Sequence, residues 1–239
     1  IKTLPQHVET VKLMLNIVAV REGERVEVEG TPYGVDSLGF VAKLSNPLLD
    51  GGHLILPVKY LVGRHSRKLG EKEPWFPCRE GDWVELSDGV SGRVAGQTPS
   101  LVTLVQLGGA RVAYRTPDFL ALHPRNLSSN FRIETTVGLD YRHQAIATTD
   151  VPAILTRKLE AGLAALVEPA HLLDVDVQLA QTGASALVYA IAIDLVGEAA
   201  PRARDVRLAL SALFVEACNE NAWVIPFNQL TLHQAERRA

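Results

Sequence analysis

The eight residues Arg21-Glu22-Gly23-Glu24-Arg25-Val26-Glu27-Val28 recur, 58 positions on, as Arg79-Glu80-Gly81-Asp82-Trp83-Val84-Glu85-Leu86. Five of the eight are identical, and two more are like-for-like exchanges. Further matches follow in the same order. Gly34 answers Gly92, and Gly51-Gly52 before His53 to Leu56 answers Gly108-Gly109 before Ala110 to Tyr114. Pro57 answers Pro117, and Tyr60-Leu61 answers Phe119-Leu120. An ordered series of this kind implies a duplicated unit, so one folding plan must serve both copies.

Each copy reads as short strands. Val26 and Val28 alternate with charged residues, and Trp83 to Leu86 do so less cleanly, the period of a half-buried strand. The Gly-Gly pairs between apolar runs are hairpin signals. Several short strands with no helix pattern between them predict a small barrel, Sm-like or OB-like, in residues 21–73 and again in 74–131. The polar stretch Gly63 to Cys78, with Pro74 and Pro77, reads as the linker between them.

Beyond Phe131 the pattern changes. Ile133, Thr135, Val137 and Leu139 alternate as a strand, and Asp150 is placed to cap a helix. That helix carries Val151, Leu155, Leu159, Leu163 and Leu166 on one face, with Pro169 after it. Leu173 to Ala180 and Leu187 to Val196 are strands joined at Thr182-Gly183. Pro201 opens a second helix with Val206, Leu210, Leu213, Phe214 and Ala217 inward, and Trp223 to Phe227 is a last apolar strand. The order β-α-β-β-α-β over 132–227 is the ferredoxin-like unit. The chain is therefore expected to be α+β, with two tandem small β-barrels followed by a ferredoxin-like domain.

Composition narrows the function. Hydrophobic residues make up 47% of the 239, a globular share, and the net charge of −3 offers no overall attraction to nucleic acid or to an anionic membrane surface. Cys78 and Cys218 are far apart and imply no disulfide framework. Leu13 to Val20 and Ala186 to Ile193 are too short to cross a bilayer. The opening on Ile1 predicts a piece of a longer protein.

Chemistry is sparse. None of His7, His53, His65, His123, His143, His171 and His233 lies three or four residues from another, so no metal is expected. Gly89-Val90-Ser91-Gly92-Arg93 misses the nucleophile-elbow spacing by one residue and reads as a turn. Asp174 and Asp176 share a strand face, for which an exposed polar surface is the plainer reading. Arg64-His65-Ser66-Arg67-Lys68 is a basic run followed by Glu71 and Glu73, read as solvated. No catalytic residue, cofactor site or metal site emerges, and no enzyme activity is expected.

These residues together resemble the cytoplasmic region of small-conductance mechanosensitive (MscS-type) channels. The resemblance lies in Glu80-Gly81-Asp82-Trp83-Val84-Glu85-Leu86, Gly89-Val90-Ser91-Gly92-Arg93-Val94, Arg115 to Leu120, Asn126-Leu127-Ser128, and the ending Ile225-Pro226-Phe227-Asn228-Gln229-Leu230-Thr231-Leu232-His233. It implies a homo-oligomer, a ring of seven enclosing a side-ported cage. That cage would pass ions and osmolytes during osmotic stress, at the cytoplasmic face of the inner membrane. Membrane contact would come through segments outside this chain, and no cofactor or nucleic acid is implied. It also implies an assembly strand in 228–239, with Ile225, Pro226, Phe227, Leu230 and Leu232 as assembly residues.

The first copy is an addition to the family pattern. In the N-terminal segment 1–20, Leu4 to Val20 lacks glycine and has no alanine before Ala19, so it reads as a pore-helix remnant or as an unrelated helix, and no pore is assigned. The family's turn asparagine is Asp118 in one copy and Val58 in the other. The alternative is a tandem-barrel binding module for RNA or protein, against which stand the acidic balance and 6% aromatic residues.

Overall fold

The computed structural model describes residues 19–226. Leu4 to Val18, Phe227, Leu230 and Leu232 thus lie outside the described residues. The chain divides into two units between Leu127 and Ser128. Both are α+β or β structures built on antiparallel sheets.

In the first unit the duplication is visible as backbone topology. Strands β1 (Arg25–Val28), β2 (Thr31–Leu38), β3 (Val41–Ser45) and β4 (His53–Pro57) are followed by a 3₁₀ turn at Val58–Leu61 and by β5 (Ser66–Arg67), in the order β4-β3-β2-β1-β5. Strands β6 (Trp83–Glu85), β7 (Ser91–Gln97), β8 (Leu101–Val105) and β9 (Arg111–Arg115) are followed by helix α1 (Thr116–Ala121) and by β10 (Arg125–Asn126), in the matching order β10-β6-β7-β8-β9. Gly23 and Gly81 hold φ of 78° and 93°, where a side chain is strained, and each donates its N–H over 2.8 Å, to Val35 O and Val94 O respectively. Each second strand also carries a register shift at the same place, between Val35 and Ser37 and between Val94 and Gly96.

Register moves some of the sequence equivalences by one residue. Arg25 pairs with Gly34 while Trp83 pairs with Arg93, so Gly34 corresponds to Arg93 and Tyr33 to Gly92. Likewise the two buried residues of the 3₁₀ turn, Val58 and Leu61, correspond to buried Thr116 and Phe119. The short helix α1 is itself a departure from an all-strand reading, started by Pro117 at its first turn.

No ladder joins β4 to β5 or β9 to β10 among the described residues, so hydrogen bonding leaves each sheet open. Nor is Gly63 to Cys78 a solvated linker. Ser66-Arg67 is β5, and Phe76 and Cys78 are buried in a core that runs through both copies, from Val26, Tyr33 and Leu44 to Val84, Leu104 and Phe119. The Phe76 ring stacks on Phe119 at 6.0 Å between centroids. Burying such a side chain contributes about 1.5–3 kcal/mol, which favours packing the segment over leaving it in water.

The second unit has strands β11 (Asn130–Leu139), β12 (Leu172–Thr182) and β13 (Leu187–Val196) in the order β11-β13-β12. Both outer strands run antiparallel to β13, so β11 and β12 are parallel to each other and split by it. Helix α2 (Asp150–Leu163) buries Val151, Leu155, Leu159 and Leu163, the stripe expected from its 3.6-residue period. Its N-cap is Thr149; Asp150 sits in the first turn, where its charge still favours the positive helix end. Helix α3 (Ala203–Glu220) begins after a 3₁₀ turn at Gly197–Arg202 that contains Pro201, and it buries Val206, Leu210, Phe214 and Ala217. Against them β13 turns Leu187, Tyr189, Ile191, Ile193 and Leu195.

The expected final strand at Trp223 to Phe227 is not formed in its described part. Ala222 takes φ 53°, Trp223 N folds back to Cys218 O (2.8 Å), and Pro226 has no N–H to donate. Among the described residues no helix is long and apolar enough to cross a membrane.

Gly197 is the tightest point of the second unit. A Cβ there would lie against the carbonyl of Ser128, backbone that cannot swing aside. Gly197→Ala should cost about 2–3 kcal/mol, read as a drop in urea midpoint, whereas Gly96→Ala, with open space around it, should be nearly neutral.

Candidate functional site

The residues expected to act in assembly are described only at their root. Helix α3 ends at Glu220, and the chain then passes the end of β11. There Asp140 N donates to Val224 O (3.0 Å), and Val224 N donates to His143 Nε2 (2.9 Å). A side chain in place of Gly138 would meet Pro226 and Ala186, so the proline lies close over β11. Ile225 is 44% exposed. His143 was not singled out by the sequence; its isolation from other histidines gave no signal, and its role is to fix a backbone position.

The motif residues of the first unit do converge. Asp82 Oδ2 accepts from Arg79 N (2.8 Å) and from Asn126 Nδ2 (2.8 Å), and Asn126 Nδ2 also reaches Pro77 O (3.3 Å). In the first copy Glu24 Oε2 accepts from Ser66 Oγ (2.6 Å), and Ser66 Oγ accepts from Arg21 N (2.8 Å). An acid at the entry of the first strand thus ties down the fifth strand in both copies. The duplicated Gly-Glu and Gly-Asp pairs mark the acids, whereas Ser66 and Asn126 are different residue types and carry no repeat signal.

Around Arg25 a second polar cluster forms. Its guanidinium meets Glu73 (3.0 Å) and Pro74 O (2.9 Å) and lies 5.6 Å from the Trp75 ring centroid. Glu73 also pairs with Arg67 through both carboxylate oxygens. The bonds from Arg67, with a backbone bond from Gly70 and the nearby Arg25, hold the Glu73 carboxyl at about 2 against an ordinary 4.5. Arg25, Arg64, His65 and Arg67 line a cavity of about 380 Å³, and Arg64 spends its donors on Tyr60 O and Glu27 O. The basic run is therefore part of a strand and its pairings.

Little of this can do covalent chemistry. Burial pushes the Cys78 thiol up to about 12 and that of Cys218 to about 11, so both stay protonated at neutral pH. No group of three metal-ligating side chains occurs among the described residues. Asp174 and Asp176 lie on the open face of the sheet, where Asp176 accepts from Gln178. On the same face Arg132 grips Asp194 across the β11–β13 pair with two 2.7 Å bonds, which lower the Asp194 carboxyl. The Gly89 turn joins β6 to β7 with φ 85° and carries no nucleophile geometry.

No family model matches the chain, and no curated protein does. Among solved structures, Helicobacter pylori MscS in its closed state aligns over 98% of this chain and 66% of its own, at 14% identity and a TM-score of 0.34. Arabidopsis thaliana MSL1 aligns over 64% of this chain and 52% of its own, at 13% identity and TM-score 0.42. A second MSL1 structure, carrying A320V, gives 15% identity and TM-score 0.34. The chain thus spans between about half and two thirds of the structures it matches. The first bears the name of the family that the sequence motifs resemble, while overlaps at these scores do not by themselves establish a common fold.

Asp82→Ala should destabilise the first unit by about 2 kcal/mol, because it strips a charged acceptor from two donors; Asn126→Ala should cost less, and the pair should be non-additive in a double-mutant cycle read by urea unfolding. A depressed carboxyl contributes stability that is present above its unfolded value and lost as pH falls through its folded value. For Glu73 that window runs from about 4.5 down to about 2. Glu73→Gln should flatten the loss of urea midpoint between pH 5 and pH 2 relative to the parent chain, modestly, because the pair is solvent-screened.

Proposed function

We propose that this chain is a non-catalytic part of the cytoplasmic region of an MscS-type mechanosensitive channel. The observation that carries it is the placement of the family-like motifs. Gly81-Asp82 to Leu86 enters β6, Gly89 to Val94 is the turn into β7, Pro117 to Leu120 is α1, and Asn126 ties back to Asp82. An α/β unit with a split pair of parallel strands follows, and its chain runs out at Ile225-Pro226.

In this reading residues 21–73 and 74–131 are two Sm-like β-domains, the first an insertion above the usual one. Residues 132–227 are a ferredoxin-like domain whose fourth strand is incomplete. The chain assembles as a ring of seven at the cytoplasmic face of the inner membrane. It encloses a vestibule through which ions and osmolytes pass when tension opens a pore carried by other segments. Ile225, Pro226, Phe227, Leu230 and Leu232 bring the subunits together, because a strand with unpaired edges seeks partners.

Light scattering on the purified chain tests this. The expected mass is several-fold that of the 26.0 kDa monomer, and truncation after Phe227 should lower it while circular dichroism stays unchanged. A monomer at high concentration before truncation, or an unchanged oligomer after it, would overturn the reading. A shift of nucleic acid at low salt would instead support the alternative, a tandem-barrel module for RNA or protein.

A further inference from the structure

One face of the first β-copy exposes apolar side chains that its own fold does not use. Phe40, in the turn between β2 and β3, is 87% exposed; Ile55 on β4 is 66% exposed and Tyr60 60%, with Val41 and Val62 also in the open. Lys43 pairs with Ile55 and Val41 with Pro57, so the outward row of this ladder is Val41, Lys43, His53, Ile55 and Pro57, all exposed. Val58 N donates to Phe40 O (3.3 Å), which ties the turn bearing Phe40 to the one bearing Lys59 and Tyr60. The Lys59 ammonium lies 5.5 Å from the Tyr60 ring, and Arg64 Nε donates to Tyr60 O (3.2 Å). Apolar groups are thus flanked by Lys43, Lys59 and Arg64. The outward row itself holds no acid; Glu22, bonded to Leu38 N, and Asp36, which accepts from Ser45 Oγ (2.7 Å) opposite His53, lie at its margin.

The second copy shows that the fold does not require this surface. By register, Leu101 stands for Val41, Thr103 for Lys43, Ala113 for Ile55 and Arg115 for Pro57. Ser100 precedes Leu101 where Phe40 precedes Val41, and Asp118 falls where Tyr60 does, counted from the fourth strand. The second copy keeps exposed Leu101 and carries its cations at Arg111 and Arg115, so what the first copy alone has on this face is the large apolar set Phe40, Ile55 and Tyr60 beside its lysines.

We propose that this face docks on an anionic lipid bilayer, with Phe40, Ile55 and Tyr60 entering the interface and Lys43 and Lys59 meeting lipid phosphates. Aromatic rings settle at the headgroup level, and cations beside them are drawn by the negative surface potential. A second copy of the chain is a poorer occupant. A two-fold contact would bring Lys43 and Lys59 of both chains onto one surface, with no acid in the outward row to answer them. Nucleic acid is poorer too: Phe40 and Tyr60 each offer a ring, but Val41, Ile55 and Val62, the rest of the apolar patch, have no π-face for a base. The inference stands independently of the channel reading, because it uses only the exposed face.

Co-sedimentation of the full chain with phosphatidylcholine vesicles, with and without phosphatidylserine, tests it. Binding is expected to the phosphatidylserine vesicles and to weaken in high salt. Phe40→Ser with Ile55→Ser should lower it about tenfold, Lys43→Glu with Lys59→Glu at least as much, and Leu101→Ser in the second copy not at all. The substituted side chains are exposed, so melting curves should match the parent; if the serine variant fails to fold, the glutamate variant decides alone. A chain that stays in the supernatant, or variants that bind like the parent, would overturn the proposal. So would a concentration-dependent rise in mass, or a single-stranded RNA shift, lost in the same variants.

Discussion

A strand of two residues cannot hold itself to a sheet, because its one or two ladder bonds return less than the entropy of ordering the loop that leads to it. Both β5 and β10 are of this length. Each is held further by a side-chain bond to an acid at the entry of the first strand, Ser66 donating to Glu24 in one copy and Asn126 to Asp82 in the other, beside the backbone bonds Ser66 N to Ala19 O and Leu127 N to Trp83 O. The consequence reaches inward. Between the fourth and fifth strands lie the turn carrying Leu61 and the helix carrying Phe119, both fully buried. Without a fixed return of the chain to the first strand, neither residue would be kept over the core.

The two copies are not separate beads joined by a tether. Buried Gln97, at the end of β7, donates to Leu48 O and Cys78 O, while buried Asn46 donates to Pro32 O (2.8 Å) and Trp75 O (3.1 Å). The loop of the first copy, the connecting segment and the second copy are thus stitched by amides that have no water to fall back on. An unsatisfied buried amide costs about 1–3 kcal/mol, so pulling the connecting segment away would expose Phe76 and orphan these groups together. Duplication supplied the sheets, and new residues at the junction made them one folding unit.

Much of this was legible in the sequence, because the signals that matter are periodic. The repeat located both sheets, and four of the five stripe residues expected on α2, Val151, Leu155, Leu159 and Leu163, are its buried face, while Leu166 falls half-buried in the turn after the helix ends. What failed did so for local physical reasons. The one-residue error at Gly34 follows from turns of different length between the first two strands, which no short motif records. The connecting segment was misjudged because its prolines and charges outnumber Phe76 and Cys78, although the two apolar residues decide where it goes. The strand expected at Trp223 was lost to tertiary detail: a positive φ at Ala222 and a back-bond from Trp223 redirect the chain. Of the candidate assembly residues, Ile225 and Pro226 are described and the remainder lie beyond residue 226.

The root of that segment shows how a chain can be aimed without being paired. Val224 makes two bonds at the end of β11, one through its carbonyl to Asp140 N and one through its N–H to an imidazole nitrogen. A ladder would have gone on to use the next N–H groups in turn, but Pro226 has none and ends that option. His143 itself stands in a 3₁₀ turn started by Asp140, whose side chain accepts from Arg142 N. The direction of the chain at Pro226 is therefore set by one short turn beside β11, an edge strand of the sheet, just past whose end Asp140 and His143 are bonded to Val224 in place of a further ladder.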